Sequence, residues 1–144
     1  MDESKNAAGM SAEEAELHQQ GVRIAKSYFR YRGAEILSAE ADNADAPDIC
    51  CTVDEGTVLA DVVAVTNIDE EEEVPELSVK KDDFWRCRRR AFLWLAEHRV
   101  SSVRYDLISV GIFGQHHARI RHLAGVFFWS DEPDQLSFYP EDRD

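Results

Sequence analysis

Asp48 and Asp61 have the strongest claim to chemistry in this sequence, because each stands alone among apolar neighbours. Asp48 sits in Asp45-Ala46-Pro47-Asp48-Ile49-Cys50-Cys51 and Asp61 in Thr57-Val58-Leu59-Ala60-Asp61-Val62-Val63-Ala64-Val65. Residues 50–53 and 58–65 are β-branched or small and apolar, and Asp54-Glu55-Gly56 separates them, so the pair reads as a buried hairpin. Burying an unpaired carboxylate costs several kcal/mol, so each acid must be paired, metal-bound, protonated, or at an edge that water reaches. The plainer alternative is one acid capping a turn and one on a solvated face.

A second group is cationic. Arg86, Arg88, Arg89 and Arg90 fall within five positions, and Arg99, Arg104, Arg119 and Arg121 follow. The chain as a whole carries a net charge of −13, which argues against a protein that coats nucleic acid. The charge is unevenly spread, with 5 Lys and Arg against 18 Asp and Glu in residues 1–75 and 11 against 11 in residues 76–144. Arg86, Arg89 and Arg90 can therefore form a local positive face for DNA or RNA, with Trp85 beside them as a base-stacking surface. Trp94 falls on the apolar side of the same segment. Five contiguous acids at 69–73 repel one another and read as a mobile loop rather than a metal-collecting patch. Cys50, Cys51 and Cys87 have neither disulfide-framework nor metal-ligand spacing and read as small core or boundary residues. His116 and His117 point to opposite faces of a strand, and with His122 they read as surface or turn residues.

The elements that must position these groups follow from periodicity. At 144 residues the chain suits one domain, expected over 11–129 between a disordered tail at 1–10 and a polar tail at 130–144, whose Leu136, Phe138 and Tyr139 can tuck back. No apolar run approaches the roughly 18 residues of a membrane span, and the first 20 residues lack the basic start and apolar core of a secretory signal, so a cytoplasmic protein without a membrane partner is expected. Ser11 with Glu14 three positions on makes a capping box, and Leu17, Ile24, Ala25, Tyr28 and Phe29 recur at helical spacing up to a stop at Gly33. A strand over 34–39 and a polar connector over 40–46 lead to the hairpin. A second helix starts at Ser78 or Asp82 and runs to about His98. It buries Phe84, Cys87, Ala91 and Leu95, widened by Phe92 and Trp94, and turns Arg86, Arg89, Arg90 and Glu97 outward. Strands follow over 103–113 and 117–128, the latter with imperfect alternation. Three meandering strands, a crossover helix and a returning strand make an α/β sandwich with a mixed central sheet, the crossover right-handed by rule.

That order, with particular residues, resembles the YraN-like family of small bacterial proteins in the PD-(D/E)xK nuclease superfamily. The likeness spans about residues 21–128 and rests on Gly21, Ala25, Tyr28, Gly33, Ile36 and Leu37, then Asp48-Ile49 and Asp61. Leu95 and Arg104-Tyr105-Asp106-Leu107-Ile108-Ser109-Val110 complete it, the last matching the family's Arg-Phe-Asp-Val-Ile pattern. The resemblance implies a restriction-endonuclease-like three-layer α/β/α fold. It also implies that Asp48 and Asp61 hold a divalent cation such as Mg²⁺, with a lysine two residues after the second acid orienting the attacking water.

Here that lysine position is Val63, the positions of the family's two accessory glutamates are Val22 and Ala46, and the arginine-bearing stretch before the first acid holds Glu40 and Asp42. Asp48 and Asp61 are thus expected to bind Mg²⁺ weakly and to catalyse poorly. The expected function is a degenerate nuclease-fold domain that binds nucleic acid or a protein. The alternatives are an active nuclease whose lysine has migrated to Lys26, Lys80 or Lys81, and an acidic protein-interaction module.

Overall fold

The computed structural model describes residues 11–40, 43–54, 56–66, 81–114 and 117–130. The acids at 69–73, Lys80, His116 and the tails at 1–10 and 131–144 lie outside the described residues.

Helix α1 spans Ala12–Tyr31 and begins as the capping box requires: the Glu14 N–H donates to Ser11 Oγ at 3.1 Å, and the Ser11 N–H donates to Glu14 Oε1 at 2.9 Å. Its apolar stripe buries Val22, Ala25 and Phe29, and Gly33, at φ +93°, ends it in the left-handed conformation that glycine tolerates. Gly21 marks the closest approach to the sheet, since a Cβ there would lie 2.6 Å from the Cβ of Ala64. Strands β1 (Glu35–Ser38), β2 (Ile49–Val53) and β3 (Gly56–Thr66) form an antiparallel meander, with Asp54 at φ 50° in the tight β2–β3 turn. Helix α2 (Lys81–Glu97) then carries the chain to β4 (Ser102–Phe113), which pairs parallel to β3, and β5 (His117–Ser130) returns antiparallel to β4. The sheet order is β1-β2-β3-β4-β5.

Strand alternation sorts the core into two layers. Ile49, Cys51, Val58, Ala60, Val62 and Ile108 pack with α1, whereas Cys50, Leu59, Tyr105, Leu107, Phe127 and Trp129 pack with Phe84, Cys87, Ala91 and Trp94 of α2. The described residues therefore form an α/β domain with one helix on each face of a five-stranded mixed sheet. Among the described residues no helix is long and apolar enough to cross a membrane.

Beyond the imperfectly alternating stretch 117–122, which pairs regularly with β4, strand β5 carries a bulge. Tyr105 pairs with Phe127 and Leu107 with Leu123, so Ala124, Gly125 and Val126 of β5 stand opposite the single residue Asp106. Gly125, at φ +67°, makes this bulge possible. The strand also runs on to Ser130, past the expected end at residue 128.

Candidate functional site

Asp61 lies in the middle of β3 on the α2 face, and Asp48 immediately precedes β2. Continued by one residue, the register that pairs Ile49 with Ala60 sets Asp48 opposite Asp61. Both carboxylates are buried. Asp61 Oδ1 accepts a 2.7 Å hydrogen bond from the Tyr105 hydroxyl, and Oδ2 accepts one of 2.7 Å from Arg90 NH1. Arg86 Nε stands 3.8 Å from Oδ2, and the Cys87 thiol points at the same oxygen from 3.6 Å. Asp48 is reached from the opposite layer: its Oδ2 accepts from the Val62 N–H at 2.7 Å and lies 2.9 Å from His18 Nε2 on α1.

Burial pushes the Asp61 carboxyl above its ordinary value, and Asp48 adds to that push while Arg90 and Tyr105 oppose it. The hydrogen bond to Asp48 holds the His18 pKa above its usual 6.5 against the opposing effect of burial. His18 thus binds its proton more tightly folded than unfolded. Its stabilisation is complete below about pH 6.5 and is lost as pH rises through the raised folded value. Urea midpoints measured from about pH 6 to about pH 8 should fall for the wild type, and His18→Ala should flatten that decline.

The position of Arg90 corrects two expectations. It does not join an outward arginine face, because its side chain is only 13% exposed and turns in to Asp61; its Nε also donates to the Ala44 carbonyl at 2.9 Å. Nor do the acids lack a nearby cation. On α2, Arg90 sits three residues after buried Cys87 and next to buried Ala91, at the edge of the apolar stripe, where a long side chain reaches inward. Arg86 is partly committed as well, with Asp83 at 3.0 Å. Arg89 is exposed, and among the described residues it makes a single 3.4 Å ion-pair contact, with Asp45. Trp85 is 41% exposed, with the Arg88 guanidinium 5.4 Å from its ring centroid. Arg88 also lies over Phe92 at 4.9 Å, a cation–π sandwich that takes its charge off the solvated face.

Val63, two residues after Asp61, is 52% exposed. Of the lysines weighed as migrated catalytic groups, Lys26 lies half-buried on α1 and Lys81 opens α2. The cations beside Asp61 are arginines instead. The three cysteines are free and buried as expected, and burial pushes the Cys50 and Cys51 thiols up to about 11 and about 12. Trp94 is core, stacked on His98 with ring centroids 3.8 Å apart.

Sequence reasoning missed a second buried polar cluster. Asp106 is fully buried in β4 and accepts from Arg104 Nε and NH2, both at 2.9 Å, from His122 Nε2 at 2.7 Å and from the Gly125 N–H at 2.8 Å. His122 Nδ1 in turn lies 2.8 Å from the Tyr28 hydroxyl on α1. In the neutral tautomer that donates to Asp106, Nδ1 accepts the tyrosine proton, giving a hydroxyl–imidazole–carboxylate chain. His122 is consequently not a surface residue. Its i+2 spacing from Ile120 on a half-buried strand was the available signal.

Mg²⁺ does not fit the Asp48–Asp61 donor set. Both oxygens of Asp61 already accept from protein donors, and a guanidinium at 2.7 Å holds the place and supplies the charge that a divalent cation would take. Among the described residues no three His, Cys, Asp or Glu side chains converge on one point. No protein-family model matches the sequence, and no curated protein matches it significantly.

Proposed function

We propose that this is a cytoplasmic nuclease-fold domain of the YraN-like kind that has exchanged hydrolysis for binding, with nucleic acid as its partner. One observation carries the reading: where the resemblance implies a cation on Asp61 and a lysine at residue 63, Arg90 is bonded to Asp61 at 2.7 Å and residue 63 is valine. The sheet order, with β3 and β4 parallel around α2, supports a restriction-endonuclease-like fold. Arg90 and Tyr105 satisfy Asp61, and His18 with the Val62 N–H satisfies Asp48, all without metal, so the sheet stays intact while the means of activating water is lost.

The test is incubation of purified protein with single-stranded, branched and flapped DNA and with RNA, in millimolar Mg²⁺ or Mn²⁺. No product is expected, and neither ion should raise the melting temperature, because a site that binds metal in the folded state alone would be stabilised by it. Metal-dependent cutting that follows the protein through purification and disappears in Asp48→Asn overturns the reading and restores the active-nuclease alternative.

A further inference from the structure

Residues 17–34 contain no Asp or Glu, yet they carry Arg23, Lys26, Arg30 and Arg32, four of the five Lys and Arg in the first 75 residues. In a chain of net charge −13 such a stretch is a local reversal of sign. Arg23, Lys26, Ser27 and Arg30 fall within about 100° of one another around the axis of α1, with Arg23, Ser27 and Arg30 on the solvent side and half-buried Lys26 at the edge next to buried Val22 and Phe29. Arg23, Ser27 and Arg30 are exposed, and none of Arg23, Lys26 and Arg30 pairs with an acid among the described residues. That contrasts with α2, where Arg90, Arg86 and Arg89 each contact an aspartate. Tyr31, next to Arg30, is 92% exposed, the most exposed large apolar residue described. Beside the N-terminal end of the stripe, Gln20, Arg23, Ile24 and Ser27 face Ile112, His117 and Ala118 across a groove of about 500 Å³.

We propose that the outward face of α1, from Arg23 to Tyr31, is a docking surface for single-stranded nucleic acid. Arg23, Lys26 and Arg30 contact successive phosphates, the Ser27 hydroxyl donates to the backbone between them, and Tyr31 stacks on a base. Cations alone would suit any polyanion. The exposed aromatic at i+8 from Arg23, where its ring gains nothing from the protein core, favours a ligand with flat π-faces over an acidic peptide. This deepens the binding reading by giving it a surface away from the Asp48–Asp61 cluster, and it depends on binding rather than on the absence of cutting.

The experiment is fluorescence anisotropy of the full chain with labelled single-stranded and duplex oligonucleotides over a salt series. Wild type should prefer the single strand, with log K falling against log salt at a slope of about −2, as three phosphate contacts require. Arg23→Glu with Arg30→Glu should weaken binding at least about tenfold and flatten the slope. Tyr31→Ala should weaken single-strand binding roughly fivefold or more and leave the slope unchanged. Since all three side chains are exposed, unchanged melting temperatures are expected to certify the fold. Absence of salt-dependent binding at low salt, or a loss from Arg89→Glu as large as from the α1 variant, overturns the proposal. So does tighter binding of an acidic peptide, or equal binding of duplex with Tyr31→Ala silent. Cutting of the oligonucleotide would sink the non-hydrolytic reading and leave this surface standing, whereas failure to bind would remove this surface and the nucleic-acid partner together and leave only the loss of hydrolysis; binding that Arg89→Glu abolishes and the α1 variant spares would sink this surface alone.

Discussion

Replacing Asp61 with alanine is expected to destabilise the fold by about 3–5 kcal/mol, the usual consequence of removing one partner from a buried ion pair. Arg90 would keep its charge in a half-buried site with only the Ala44 carbonyl as a described acceptor, and the Tyr105 hydroxyl, in a fully buried residue, would lose its acceptor. Each is costly by itself, because an unsatisfied buried donor forfeits its hydration without recompense. Asp61→Leu combined with Arg90→Met should recover most of the loss, since removing both charges leaves neither one stranded. The sign separates the two views of this site. A carboxylate kept for a metal crowds another carboxylate in the metal-free protein, and its removal relieves that repulsion. A carboxylate kept for Arg90 and Tyr105 is missed when it goes. Urea denaturation with an unchanged m-value gives the answer, and an Asp61→Ala protein as stable as wild type, or more so, would return the site to the cation-binding account.

Local chemistry was legible wherever it depended on neighbours in sequence. Ser11 and Glu14 announced the start of α1, Gly33 its end, and the apolar runs around Asp54-Glu55-Gly56 gave the hairpin nearly to the residue. What could not be read was which side chains meet across the sheet. Asp61 finds Arg90 29 residues later, and Asp48 finds His18 30 residues earlier, on helices that cover opposite faces. Those meetings depend on how each helix is seated on the strands, and helical periodicity fixes only the direction in which a residue points. Arg90 shows the limit of that rule: its Cα belongs to the flank of the stripe, but its reach lets it serve a carboxylate under the helix. The polar His122 among the half-buried positions of β5 was visible as a fault in the alternation. Its partner Asp106, and the bulge that turns the Gly125 N–H onto the same carboxylate, needed the register of β4.

Asp106 is where the second large effect is expected. Asp106→Ala should cost about 3–5 kcal/mol, because this buried carboxylate joins Arg104 on its own strand, His122 on the neighbouring strand and the backbone of the bulge. Burial alone would raise its pKa. The hydrogen bonds from His122, Arg104 and Gly125 together outweigh burial and hold it below the usual carboxylate value. A depressed folded pKa means that the stabilisation is complete above the unfolded value of about 3.9 and drains away as pH falls through the folded one. Asp61 runs the other way, its raised pKa favouring the folded state as protons are added. Acid unfolding should therefore begin from the β4–β5 side, and Asp106→Asn should remove the steep part of the acid limb while Asp61→Asn leaves it. Tyr28→Phe, at the far end of the same chain, deletes one hydrogen bond and should cost only about 0.5–1.5 kcal/mol. Amide exchange provides the local check: in Asp106→Asn, protection should fall first at Gly125 and its β4 neighbours. An Asp106→Ala protein within about 1 kcal/mol of wild type would mean that the bulge is held by packing of Phe127 and Trp129, with the carboxylate merely accommodated.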